Sequence, residues 1–114
     1  MAKDPNCIFC KIVAGEIPAK LVKEGENFLA FSDINAQAPH HMLVIPKEHY
    51  PNITEFRDAK GLGELFLAAA DLAKEKGLKE GFRLVVNTGA DGGQTVFHLH
   101  IHILGGRAMT WPPG

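Results

Sequence analysis

The 114-residue chain predicts one α+β domain, an antiparallel sheet of about five strands with one long and one short helix. Three observations lead there. The β-prone runs are joined mainly by turns rather than by crossover helices, which favours antiparallel pairing. Only one stretch, from about Thr54 to Lys76, keeps a helical period over several turns. A composition of 46% hydrophobic and 22% charged residues is ordinary globular usage, without repeat or linker, and a chain this long buries about two thirds of its unfolded surface in one core. A single domain over 1–114 follows.

Residues 1–6 are polar, contain Pro5 and are expected to be mobile. Ile8, Phe9, Ile12 and Val13 recur at helical spacing and make a helical turn or two that Gly15 and Pro18 end. Residues 21–24 and 27–31 are short β-prone runs around Gly25 and Glu26, a hairpin that leaves Asp33 at a strand end. Over 41–46, His41, Leu43 and Ile45 share one face of a strand and Met42 and Val44 the other. In the long helix, expected over about 54–76, Leu62, Leu65, Phe66, Ala69, Leu72 and Ala73 form a stripe and Gly77 is placed as the C-terminal cap. Gly61 and Gly63 weaken its start. Residues 82–87 and 96–104 are strong strands on either side of the glycine-rich turn TGADGGQ, and the tail RAMTWPPG has no period. Leu67, Ala68 and Ala70 lie off the helix stripe, so apolar surface wraps past one face. That predicts a homodimer, the alternative being burial within the helix's own domain.

Charge and hydropathy exclude several classes. Twelve Lys and Arg against thirteen Asp and Glu leave no basic excess for a duplex of DNA or RNA. The apolar stretches fall far short of the roughly 20 residues that span a bilayer, and MAKDPNCIFC lacks the apolar core of a signal peptide. A soluble cytoplasmic protein is the expectation. Two cysteines cannot build a disulfide framework, so Cys7 and Cys10 point to metal binding or redox chemistry, or are simply two small buried side chains.

Histidine carries the chemistry. All six fall in two windows, His40, His41 and His49 in one and His98, His100 and His102 in the other. On a strand the last three would share a face about 6.6 Å apart, with Leu99, Ile101 and Ile103 turned into the core. Such a pair of imidazoles brackets a phosphate or binds a metal. The preceding turn, Asn87 to Thr95, offers amides unshielded by side chains, a shape that suits an anion as well as an ordinary hairpin loop. His-x-His is also metal-ligand spacing, so a metallohydrolase with Asp33 or Asp91 converging on His100 and His102 stays open.

The segment His98-Leu99-His100-Ile101-His102-Ile103-Leu104 resembles the histidine-triad motif. The likeness extends through Cys7-Ile8-Phe9-Cys10-Lys11-Ile12, Phe31-Ser32-Asp33-Ile34, His41-Met42-Leu43-Val44-Ile45-Pro46-Lys47, Asp91-Gly92-Gly93-Gln94-Thr95 and the terminal Trp111-Pro112-Pro113-Gly114. The whole chain is similar to the histidine triad (HIT) superfamily, in particular to its Hint branch of nucleotide-binding proteins. That resemblance implies an HIT-like fold and a homodimeric purine nucleoside phosphoramidase and nucleotidyl hydrolase without a catalytic metal. By the same implication His100 is the nucleophile at the α-phosphorus, His102 contacts the phosphate oxygens and His41 joins the histidine network. Thr95, where the family often has serine, meets the leaving group. Asn87 and the stretch Gly93, Gln94, Thr95 and Val96 position the phosphate, Asp33 binds the ribose, and Phe9, Ile12, Phe31 and Ile34 form the base pocket. The tail 107–114, with Trp111, lies near the partner's site.

Two thiolates are half of a tetrahedral zinc site. In related branches the set is completed by histidines that match His49 and His98, so the resemblance implies structural zinc on Cys7, Cys10, His49 and His98. Two further readings of the resemblance remain: a dinucleoside polyphosphate hydrolase and a non-catalytic nucleotide-binding scaffold.

Overall fold

The computed structural model describes residues 4–114. Its elements in chain order are α1 (Ile8–Val13), β1 (Leu21–Glu24), β2 (Phe28–Ser32), β3 (His40–Pro46), a 3-10 turn (Ile53–Glu55), α2 (Ala59–Glu75), β4 (Phe82–Val85) and β5 (Ile101–Gly105). The five strands form one antiparallel sheet in the order β1-β2-β3-β5-β4. This is the α+β architecture that the turn-joined strands predict. Residues 1–3, half of the segment expected to be mobile, lie outside the described residues. Asp4 opens a short turn by accepting from the Asn6 and Cys7 amides.

Period-two alternation in β3 splits the core into two layers. Met42 and Val44 face α2 and pack with Ala30, Leu99, Ile101, Ile103, Leu65, Ala69, Leu72 and Ala73. Leu43 and Ile45 face the other way and pack with Leu29, Phe31 and the α1 residues Phe9 and Cys10. Each large aliphatic side chain buried in either layer contributes about 1.5–3 kcal/mol. The helix stripe is therefore the one that the 3.6-residue period marks, and it ends as expected. Gly77 takes a left-handed φ of 74°, and Leu78 donates its amide to the Ala73 carbonyl. Leu78 then packs so tightly on β5 that a Cβ at Gly105 would stand 2.6 Å from its methyl carbon.

Three boundaries differ from expectation. The long helix begins at Ala59 rather than near Thr54, since residues 53–55 make a separate 3-10 turn capped by the Asn52 side chain. β4 ends at Val85, two residues early. The histidine strand begins at Ile101, not at 96. Its first half leaves the ladder because other partners take its backbone: the Leu99 amide donates to Tyr50 O, Val96 O accepts from the Gln94 side chain, and His98 O accepts from the His100 ring. Residues 86–100 are consequently a long irregular connection, the kind that carries sites.

No helix among the described residues is long and apolar enough to cross a membrane. At the surface, Leu67 of α2 is 64% exposed and Phe82 of the edge strand β4 is 41% exposed.

Candidate active site

Sheet register brings the two histidine windows together. His41 pairs with Leu104 and Leu43 with His102 across β3 and β5. His41 and His102 are thus diagonal neighbours on one face, within reach of ring-to-ring contact. Their rings meet, with His41 Nε2 2.9 Å from His102 Nδ1.

Partners fix the protons on these rings. The Gln37 amide donates to His41 Nδ1 at 3.0 Å, so the His41 proton sits on Nε2. From there it is shared between His102 Nδ1 and the Asp33 carboxylate, whose Oδ2 lies 3.3 Å away. His102 accepts at Nδ1 and must carry its own proton on Nε2. His100 is set the opposite way: its Nδ1–H donates to the His98 carbonyl at 2.7 Å, which leaves Nε2 with a free lone pair. The His100 and His102 rings are 4.9 Å apart by centroid. Burial pushes both imidazoles down, His102 to about 4, with the neighbouring His100 and His41 rings adding to the effect on His102. Asp33 opposes the shift at both rings. At neutral pH the outcome is an uncharged His100, the only form of imidazole that can attack an electrophile.

His98 faces elsewhere. Its Nε2–H donates to the Pro46 carbonyl at 2.8 Å, so Nδ1 is bare and points at Cys7 Sγ (3.3 Å), Cys10 Sγ (3.5 Å) and His49 Nδ1 (3.3 Å). Cys10 Sγ is 3.4 Å from His49 Nδ1. All four ligand atoms lie within 4.8 Å of one another, and all four residues are buried. Zinc bonds of about 2.0–2.1 Å to nitrogen and 2.3 Å to sulfur give tetrahedral edges of about 3.3 Å and 3.6 Å. The donor set fits zinc in number, type and spacing. Burial pushes the Cys7 thiol up to about 11, an environment in which a dication, rather than solvent, favours the thiolate. Zinc held here supplies no chemistry; it ties α1 to the segments that carry His49 and His98.

Phe9 joins the two groups. Its ring meets His98 (5.9 Å between centroids), His100 (5.2 Å) and Phe31 (5.4 Å) edge to face.

The HIT domain model matches residues 14–109. The chain belongs to the HIT domain family. An "Uncharacterized HIT-like protein" of Synechocystis is 52% identical over 116 aligned residues, covering all of both chains. A "14 kDa zinc-binding protein" of Zea mays is 48% identical, covering 97% of this chain and 90% of the maize protein. Among solved structures, an HIT family hydrolase from Legionella pneumophila superposes with a TM-score of 0.93 at 52% identity, covering 96% of this chain and all of that one. A histidine triad protein from Clostridium difficile gives 0.88 at 44% identity, covering 95% of this chain and 96% of that one.

In this HIT domain the residues expected to hold metal come together as one cluster, and His41, His100, His102 and Asp33 as another. Phe9 and Phe31 pack beside the second, with Ile12 partly buried against the same layer. Ile34 is fully exposed at the β2 end, and the Trp111 side chain is 82% exposed. In the loop, Thr95 is exposed and Asn87 and Val96 are partly buried. Gly92 is obligatory, since a Cβ there would meet Thr88 O at 2.3 Å. The Gly93 and Gln94 amides close the loop on Ala90 and Gly89. Gln94 is buried, and its side chain serves as an internal strut to Gly89, Pro51 and Val96. Four groups that set the protons, the carbonyls of Pro46 and His98, the Gln37 amide and the Asp33 contact with His41, were not found from sequence. Three of them are main-chain atoms, which no residue type marks.

Proposed function

We propose that the protein is a nucleotidyl hydrolase that cleaves purine nucleoside 5′-phosphoramidates and related conjugates such as acyl-adenylates, as a homodimer with structural zinc. One observation carries this reading: the Nδ1–H of a buried, uncharged imidazole is anchored on a backbone carbonyl, leaving its Nε2 lone pair free. In the reaction His100 Nε2 attacks the α-phosphorus and the bond from phosphorus to the leaving group breaks. That leaving group, met by the Thr95 hydroxyl, takes up a proton from solvent, and the water that attacks in the second step returns one. The nucleotidyl-imidazolium keeps its Nδ1 proton on the His98 carbonyl, which stabilises the new charge. Water then attacks phosphorus, the P–N bond to His100 breaks, and a nucleoside monophosphate leaves. His102 donates its Nε2–H to a phosphoryl oxygen throughout. Asn87 and the Gly93–Val96 backbone hold the phosphate, Asp33 the ribose, and Phe9, Ile12, Phe31 and Ile34 the base. In the dimer the exposed Leu67 face is covered and Trp111 borders the partner's site.

Relatives support this reading as far as their names go: one is called a hydrolase and another a zinc-binding protein. A metal-activated water is the competing mechanism, with Asp33, His41 and His102 as the ligand group. It is disfavoured because the Gln37 amide on His41 Nδ1 makes Nε2 a proton donor rather than a ligand. Steady-state hydrolysis of adenosine 5′-phosphoramidate is the test. Wild-type protein is expected to turn over, and His100→Ala to lose at least about 10³-fold in kcat while still binding AMP. Undiminished turnover in the variant would sink the proposal.

A further inference from the structure

Arg107 has no part in the chemistry above, yet it closes on the residue that sets the His41 proton. β5 ends at Gly105, and Gly106 turns the chain with a left-handed φ of 92°. It passes so near the β3 entry that a Cβ at 106 would stand 2.9 Å from the Pro39 ring and 3.3 Å from the His40 ring. Only glycine allows that approach. It delivers Arg107 to the outer side of residues 37–41, where Nε–H donates to the Gln37 carbonyl at 3.0 Å and Nη1 donates to the Ala108 carbonyl at 3.0 Å. Two acceptors orient the planar guanidinium. Gln37 itself gives its side-chain amide to Asn35 O at 3.0 Å and its backbone amide to His41 Nδ1 at 3.0 Å.

We infer that Arg107 is a positioning residue: by holding the Gln37 backbone in place it locks His41 in the Nε2–H tautomer, and through His41 it keeps the Nε2 proton on His102. The inference rests on the phosphoryl-transfer reading above for its consequence, because only there does the His102 proton have a phosphoryl oxygen to meet. A neutral imidazole has two tautomers, and the one present follows the bond made at the other nitrogen. Here that bond is a single amide on a short loop between two strands, and a loop of that kind needs outside support. Arg107 supplies it from just past the end of β5, whose Gly105 pairs with His40 at the start of β3.

The test uses the full chain, comparing wild type with Arg107→Ala and Arg107→Lys. Ring ¹⁵N spectra of His41 and His102 report the tautomers directly, and turnover of adenosine 5′-phosphoramidate reports the consequence. Wild type is expected to show His41 protonated at Nε2 alone. In Arg107→Ala both rings are expected to show mixed tautomers, with kcat lower by roughly three- to tenfold, the worth of one ordinary hydrogen bond, and KM within about twofold of wild type. Arg107→Lys, which keeps a cationic N–H donor group, is expected to recover part of both signals. Unchanged ring spectra in Arg107→Ala would overturn the inference, whatever happens to kcat or to the melting temperature. If wild type fails to cleave the phosphoramidate, the phosphoryl-transfer reading falls, while the ring spectra still confirm or refute the clamp.

Discussion

Two groups of imidazoles sit side by side here, fed by the same stretch of chain, and their lone pairs are arranged in opposite ways. In one, His49 and His98 turn their Nδ1 atoms toward the sulfurs of Cys7 and Cys10, four ligand atoms aimed at a single point. In the other, His41 Nε2–H donates to His102 Nδ1, and the lone pair left without a partner is that of His100 Nε2. What separates them is where a backbone carbonyl falls. Pro46 O takes the His98 proton at Nε2 and frees Nδ1; His98 O takes the His100 proton at Nδ1 and frees Nε2. The same residue, His98, therefore offers its ring to one group and its carbonyl to the other. A histidine's chemistry in this fold is decided by its second nitrogen.

The contrast breaks most completely at His100. Replacing it by alanine is expected to abolish turnover and leave the zinc group intact, so bound zinc measured by elemental analysis stays at one per chain. Cys10→Ser breaks the other side. It removes one of four ligands, and zinc content is expected to fall well below one per chain, with a melting temperature lower by about 10 °C. Calorimetry beside elemental analysis checks both.

The protons in the second group can be probed through stability. His102 is held at about 4 in the folded chain, below its ordinary value of about 6.5 when unfolded. Between those values the unfolded chain binds the extra proton, so stability rises with pH across the window and is lost as pH falls from about 6.5 to 4. His102→Asn removes this contribution. Its melting temperature is expected to fall less steeply than wild type's between pH 7 and 4.5, by the equivalent of about 2 kcal/mol. Both proteins carry the same zinc ligands, so acid release of metal cancels in the comparison. Equal slopes would show that the ring is not held neutral.

Phe9 offers a smaller and sharper probe, because its ring touches both groups. Phe9→Leu keeps an apolar side chain but loses the edge-to-face contacts, worth about 0.5–1.5 kcal/mol. A few-fold loss of kcat with zinc content unchanged is the expected result from kinetics and elemental analysis together.

Much of this was legible in the sequence where side-chain identity alone decides. Alternation in β3 sorts Met42 and Val44 from Leu43 and Ile45, and the α2 stripe and Gly77 mark one helix face and its end. The zinc quartet was readable through motif resemblance, since cysteine and histidine at those positions have few other uses together. The first five residues of the predicted histidine strand leave the ladder because their alternation is genuine but their backbone partners are not strands: Tyr50 O, the Gln94 amide and the His100 ring capture them. The proton assignments were invisible for the same reason. They depend on carbonyls and amides that every residue carries, brought into place by register and loop path.

In the proposed reaction His100 Nε2 is the atom that bonds to phosphorus. Wild-type protein mixed with adenosine 5′-phosphoramidate, quenched within the first turnover in alkaline denaturant, in which the P–N bond of a nucleotidyl-histidine survives, and mapped by peptide mass spectrometry at alkaline pH, tests it directly. The prediction is one adenylyl group on His100, absent from His100→Ala. An adduct on His102 or Thr95, or turnover that proceeds with no covalent adduct at all, would contradict it.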